Sequence, residues 1–145
     1  MNDKFKPNSC TFERGIERIN HAIVATNFKR SLKEKISTSK DPDIQELLTS
    51  LYVDNVPDNF KKWQLPFYLD RSQFYISTGI SGAFVPEHSH NDGDGLRYIV
   101  SGSIEYNGKV LSAGDWMYIP KGVKYSFTVG KLGATMFYCY QCCCA

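Results

Sequence analysis

The stretch Gly82-Ala83-Phe84-Val85-Pro86-Glu87-His88-Ser89-His90 decides how this chain is read. Side chains two apart on a β-strand share a face, so a His-x-His pair in a strand directs both imidazoles to one side. A second informative stretch is Gly114-Asp115-Trp116-Met117-Tyr118-Ile119-Pro120-Lys121-Gly122, a strand over Asp115 to Ile119 that must turn at its Pro-x-Gly end. Period-two alternation surrounds both. Strands are expected at Gln73 to Ile80, Leu96 to Val100, Ser103 to Tyr106, Lys109 to Leu111, Tyr125 to Val129 and Ala134 to Tyr140. Asn107-Gly108 between two of them is a two-residue hairpin signal. Many short strands with regular turns predict an antiparallel sandwich or barrel.

The chain before residue 66 is different. It carries 11 basic and 9 acidic residues up to Gln64, against 6 and 6 afterwards. A helix is expected from Asp41 to about Tyr52, with Asp41 as cap, Pro42 in the first turn and an apolar stripe of Ile44, Leu47, Leu48 and Leu51. Another helical pattern runs from Phe12 to Ile23, weakened by Gly15, and holds His21 as a surface or packing residue. Lys29, Arg30, Lys33, Lys35 and Lys40 surround a third helical pattern of Phe28, Leu32 and Ile36 and read as a solvated face. With 145 residues one core is expected, divided into an N-terminal helical arm over 1–65 and a β-barrel over 66–145. A net charge of +2 argues against a dedicated nucleic-acid binder. No apolar run is long enough for a membrane span, and no apolar leader opens the chain, so a cytoplasmic location is expected.

The first stretch, with Tyr98-Ile99-Val100-Ser101-Gly102, resembles the first motif of the cupins: glycine, five residues, His-x-His, three or four residues, Glu, six residues, Gly. The second resembles the second cupin motif, glycine followed after five residues by Pro-x-Gly and then a histidine. The resemblance runs from near Phe67 to Tyr140 and leaves the first 65 residues outside it. It implies a mainly β, antiparallel jelly-roll barrel, homodimer formation, and one divalent metal ion inside: Fe, Mn, Zn, Ni or Cu. His88 and His90 stand at the two leading ligand positions. The glutamate position, counted back seven from Gly102, falls on Gly95, while counting forward from His90 reaches Asp94. The fourth ligand position holds Tyr125. Three arrangements follow: His88, His90 and Asp94 as a two-histidine, one-carboxylate set with Tyr125 nearby; a metal on two protein ligands with an anion in the gap at Gly95; or a barrel that has lost its metal and keeps a small-molecule pocket.

If Gly95 faces inward, parity sends Arg97 and Ile99 inward too. A buried guanidinium is costly unless it meets an anion, either a bound ligand or a carboxylate such as Glu87 or Asp94. Trp116 and Tyr118 share one face and Met117 and Ile119 the other, as core residues. Of the five cysteines, Cys139 and Cys142 have a two-residue gap with no second pair to complete a zinc site. Cys142-Cys143-Cys144-Ala145 reads as an inert tail, with a prenylation signal as the alternative. The expected function is a metal-dependent cupin enzyme of dioxygenase or isomerase/lyase type acting on a small anionic metabolite. Its ligands are His88, His90 and Asp94, with Arg97 as anion anchor and Tyr125 as proton-transfer group. The alternative is a non-catalytic, small-molecule-binding or sensory cupin. No membrane or nucleic-acid partner is expected.

Overall fold

The structure is a computed structural model that describes residues 5–7 and 9–141. Two compact units divide it: residues 1–29 with 42–68, and residues 30–41 with 69–145. The 30–41 segment therefore belongs with the barrel, which a single break at residue 65 does not anticipate.

The first unit contains α1 (Phe12–Ala25) and α2 (Pro42–Thr49). Thr11 caps α1, its hydroxyl accepting from the Arg14 N–H at 3.1 Å. The Gly15 carbonyl accepts from Gln64 Nε2 at 3.0 Å, tying α1 to the chain near residue 64. Ile19 and Ala22 meet Leu47 and Leu51 in a small apolar core. His21 is exposed on α1. Among the described residues no helix is long and apolar enough to cross a membrane.

The second unit is an antiparallel sheet of seven strands: β1 (Ser37–Thr38), β2 (Gln73–Gly79), β3 (Phe84–His88), β4 (Gly95–Tyr106), β5 (Lys109–Ser112), β6 (Trp116–Ile119) and β7 (Tyr125–Tyr140). The order β1-β6-β4-β7-β2, with β3 on β7 and β5 on β4, is the mainly β jelly-roll architecture expected. Asn107 (φ 48°) and Gly108 (φ 76°) form the anticipated hairpin between β4 and β5. Four expected strands fuse into two long ones, β4 and β7, which bend together. Their mutual register shifts between Ile99 and Ser101 and again between Gly102 and Ile104. Gly102, at φ 73°, packs so tightly on Gly133 that a Cβ would lie 1.9 Å from the Gly133 carbonyl oxygen. Ile99, Ile104, Leu111, Met117, Ile119, Phe127 and Met136 fill the core.

Residues 29–35 are not helical, which corrects the third helical pattern. Ile36 enters the barrel core, and β1 pairs with β6, placing Ser37 opposite Tyr118. The charges of this segment are used rather than merely solvated. Arg30 donates to Ser37 Oγ at 2.8 Å and lies 3.7 Å from the Asp41 carboxylate. Asp41, expected as a helix cap, accepts instead from the Thr38 N–H (3.0 Å) and hydroxyl (3.1 Å) and pairs with Lys109. Polar pairs have outcompeted the helical pattern here.

Candidate functional site

Parity holds along the first half of β4: Gly95, Arg97 and Ile99 are buried, whereas Tyr98 and Val100 face solvent. On β6 the core receives Met117 and Ile119, while Tyr118 lies on the other face and is buried as well.

Strand β3 ends at His88, and its register on β7 shifts between Val85 and His88. His90 lies just beyond the strand, so ideal pleating does not set its direction. The two imidazoles nevertheless converge, with ring centroids 5.1 Å apart. His88 Nδ1 is 2.7 Å from the Pro86 carbonyl oxygen, which only accepts, so Nδ1 carries the proton. The Tyr125 ring is 4.6 Å from that of His88. Tyr125 Oη lies 3.1 Å from His90 Nε2 and 2.9 Å from Tyr140 Oη. Arg97 Nη2 donates to Tyr140 Oη at 3.3 Å. A continuous hydrogen-bonded chain thus links His90, Tyr125, Tyr140 and Arg97.

Tyr140 is the member that sequence reasoning missed. It is the cross-strand partner of Gly95. A Cβ built on Gly95 would sit 2.1 Å from Tyr140 Cε1, so the phenol ring fills the space of a side chain at the glutamate position. Burial pushes the Tyr140 hydroxyl well above the usual phenol range, with Arg97 pulling more weakly the other way. The group is therefore a neutral O–H.

Asp94 is engaged elsewhere. Its carboxylate pairs with Lys33 and accepts from Tyr118 Oη (2.7 Å) and the Lys121 N–H (2.7 Å). Burial alone would raise its carboxyl, but the bonds from Lys33, Tyr118 and Lys121 outweigh that and hold it below the usual range. Burial tends to lower Lys33 too, yet its bonds to Asp94 and Tyr118 leave it raised. Tyr118 is pushed up to about 12, chiefly by burial.

Arg97 is only 7% exposed. Its guanidinium carbon lies over the rings of Tyr138 (4.3 Å) and Phe127 (5.0 Å), and Nη1 rests 3.6 Å from Met136 Sδ. Among the described residues the buried Nε has no hydrogen-bond partner and no carboxylate pairs with this cation. Asp94 is committed to Lys33, and Glu87 is exposed.

The fit to a divalent metal follows from these donors. Among the described residues no three His, Cys, Asp or Glu side chains gather as a metal site requires. His88 and His90 come together, but Asp94 does not join them, the third position holds a phenol ring, and a buried cation adjoins the cluster. The residues present do not fit a resident cation. Cys139 is buried, with its thiol pushed up by burial, and Cys142, Cys143 and Cys144 lie outside the described residues.

Neither a protein-family model nor a curated protein matches the chain. Among solved structures, an RmlC-like cupin from Shewanella frigidimarina is 23% identical, the match covering 48% of this chain and 65% of that one, with a TM-score of 0.43. A cupin protein from Bacteroides fragilis is 28% identical over 50% of this chain and 65% of its own, with a TM-score of 0.40. The polyketide cyclase RemF from Streptomyces resistomycificus is 18% identical over 49% and 54%, with a TM-score of 0.44. The matches span less than two thirds of each of these proteins. The first motif lies on β3 and β4 and the second on β6 and the start of β7 of an antiparallel jelly roll, the arrangement that the cupin resemblance implies.

Proposed function

We propose that the barrel binds a small anionic molecule at Arg97, and that it does so without a resident divalent metal. The observation that carries this reading is a guanidinium buried in the barrel that has, among the described residues, an unpartnered Nε and no carboxylate beside it. Leaving a charged donor desolvated and unmatched costs several kcal/mol in general, and a bound anion removes that cost. Tyr140 and Tyr125 add neutral hydroxyls to the same cluster, and His88 and His90 form its further wall. A catalytic version is favoured by one contact, that of Tyr125 Oη with His90 Nε2, which places a proton donor and acceptor in hydrogen-bond reach. The metal-dependent dioxygenase or isomerase/lyase reading has two of its three ligands together.

Two measurements on untagged full-length protein test the proposal. Thermal unfolding with a panel of small carboxylates, phosphates and sulfate reports binding as a rise in Tm, since a ligand that binds only the folded state stabilises it. At least one anion should raise Tm in the wild type and fail to do so in Arg97→Met. Metal analysis after incubation with Fe(II), Mn(II), Zn(II), Ni(II) or Cu(II) should find no stoichiometric uptake. Uptake of one equivalent, lost in His88→Ala, would return the metal reading.

A further inference from the structure

Resting on the anion-binding reading above, we infer that the ligand is a monocarboxylate with an apolar or aromatic body, taken by Arg97 and Tyr140 acting as one three-donor clamp. Nε–H and one Nη2–H lie on the same edge of a guanidinium, the edge that matches the two oxygens of a carboxylate. Here Nη2 already leans on Tyr140 Oη through a long 3.3 Å contact, and Nε has no partner. The other side is taken: Nη1 rests on Met136 Sδ. The rings of Tyr138 and Phe127 lie against the guanidinium, so a carboxylate meets its in-plane edge, where the buried Nε is uncovered as the ligand enters. One carboxylate oxygen meets Nε–H, the other meets Nη2–H, and the neutral Tyr140 hydroxyl donates to either.

Charge selects the class further. Of the side chains in this cluster (His88, His90, Arg97, Tyr125, Tyr138, Tyr140) Arg97 alone is permanently charged. A single buried cation balances a single negative charge, whereas a phosphate dianion would leave one charge uncompensated in an apolar surround. The body of the ligand then meets aromatic walls. His90 and Tyr140 have ring centroids 4.2 Å apart, and Tyr138 and Tyr140 5.5 Å. Such surfaces reward apolar contact and not a second anionic group.

The experiment is isothermal titration of the full chain with acetate, benzoate, cyclohexanecarboxylate and inorganic phosphate. Benzoate and cyclohexanecarboxylate should bind more tightly than acetate, and phosphate should not bind. Arg97→Met should weaken benzoate roughly 10- to 100-fold, the scale of hydrogen bonds to a charged group. Tyr140→Phe, which removes one oxygen and keeps the ring, should weaken it roughly fivefold, the scale of one neutral hydrogen bond. Arg97→Lys, which keeps the charge and loses the fork, keeps the test open if the Met variant fails to fold, and should also lose affinity. Phosphate binding that depends on Arg97, with no carboxylate bound, overturns the carboxylate assignment and leaves the anion site standing. Carboxylate affinity unchanged in Arg97→Lys and Tyr140→Phe overturns the clamp. Absence of binding by all four anions overturns this assignment, and if no anion of the wider panel raises Tm either, the anion-binding reading falls with it.

Discussion

The phenol ring of Tyr140 stands where a side chain on Gly95 would stand, with Cε1 only 2.1 Å from the position a Cβ would take. The two residues are cross-strand partners on β7 and β4, so the exchange occurs at one point of the sheet. At that point the cupin pattern has a carboxylate, and here a neutral hydroxyl bonded to Arg97 replaces it. The exchange leaves no formal negative charge at this point, beside a buried guanidinium.

Position 95 should therefore be intolerant only while Tyr140 is present. Gly95→Ala forces a ring that is 1% exposed to move, an overpacking cost of about 1–3 kcal/mol. Combined with Tyr140→Ala, the same change should cost markedly less, because the obstructing ring is gone. Urea denaturation of the wild type, both single variants and the double variant measures the coupling. Strictly additive costs would show that the ring and the missing side chain do not compete.

Arg97→Met should leave the ligand-free protein about as stable as the wild type or more stable. Burying an unpaired guanidinium is unfavourable, and an apolar chain of similar volume removes that cost while keeping contact with Phe127, Tyr138 and Met136. Its Tm in anion-free buffer checks this directly. A loss of more than about 2 kcal/mol, a size expected when a well-satisfied buried cation is removed, would mean that Arg97 is structural.

The Asp94–Lys33 pair should mark the acid limb of stability. Asp94 is held below its ordinary value of 3.8, so the folded state favours the carboxylate more than the unfolded chain does. Its contribution is present above about pH 4 and is lost as the pH falls through the folded value. Lys33 is raised above 10.5, so its share is present below that pH and is lost as the pH rises past it. Asp94→Asn should then be less stable than the wild type at pH 6, with the gap narrowing toward pH 3. Urea midpoints across that range measure it, and a constant gap would contradict the assignment.

What could be read from the sequence was local pattern. The His88-x-His90 spacing, the Asn107-Gly108 turn and the inward parity of Gly95, Arg97 and Ile99 depend on neighbours two or three residues away. Tyr140 was illegible because its place opposite Gly95 depends on the register of β7 against β4, across a span of 45 residues. The partner of Asp94 was hidden for a similar reason: Lys33 lies 61 residues away, in a segment whose apolar spacing mimics a helix. There Ile36 is drawn into the barrel core and β1 onto β6, and tertiary pairing overrides the helical spacing. The two long strands look like four in the sequence because Gly102 and Gly133, both at positive φ, bend them where period-two alternation lapses.

That bend offers a controlled comparison of backbone strain with steric conflict. Gly102 (φ 73°) and Gly108 (φ 76°) have nearly the same backbone angle, but their surroundings differ. A Cβ at Gly108 meets nothing within 4 Å, whereas one at Gly102 lies 1.9 Å from the Gly133 oxygen and 2.9 Å from Ala134 Cα. Gly108→Ala should thus cost only the left-handed backbone penalty, about 1–2 kcal/mol. Gly102→Ala adds a collision with backbone atoms that no rotamer change relieves, so β4 and β7 must separate where they bend. It should cost several kcal/mol more, since large effects arise where a side chain must displace packed structure. Thermal and urea unfolding of the two variants decide it. Equal destabilisation would mean that β4 and β7 do not approach so closely at Gly102.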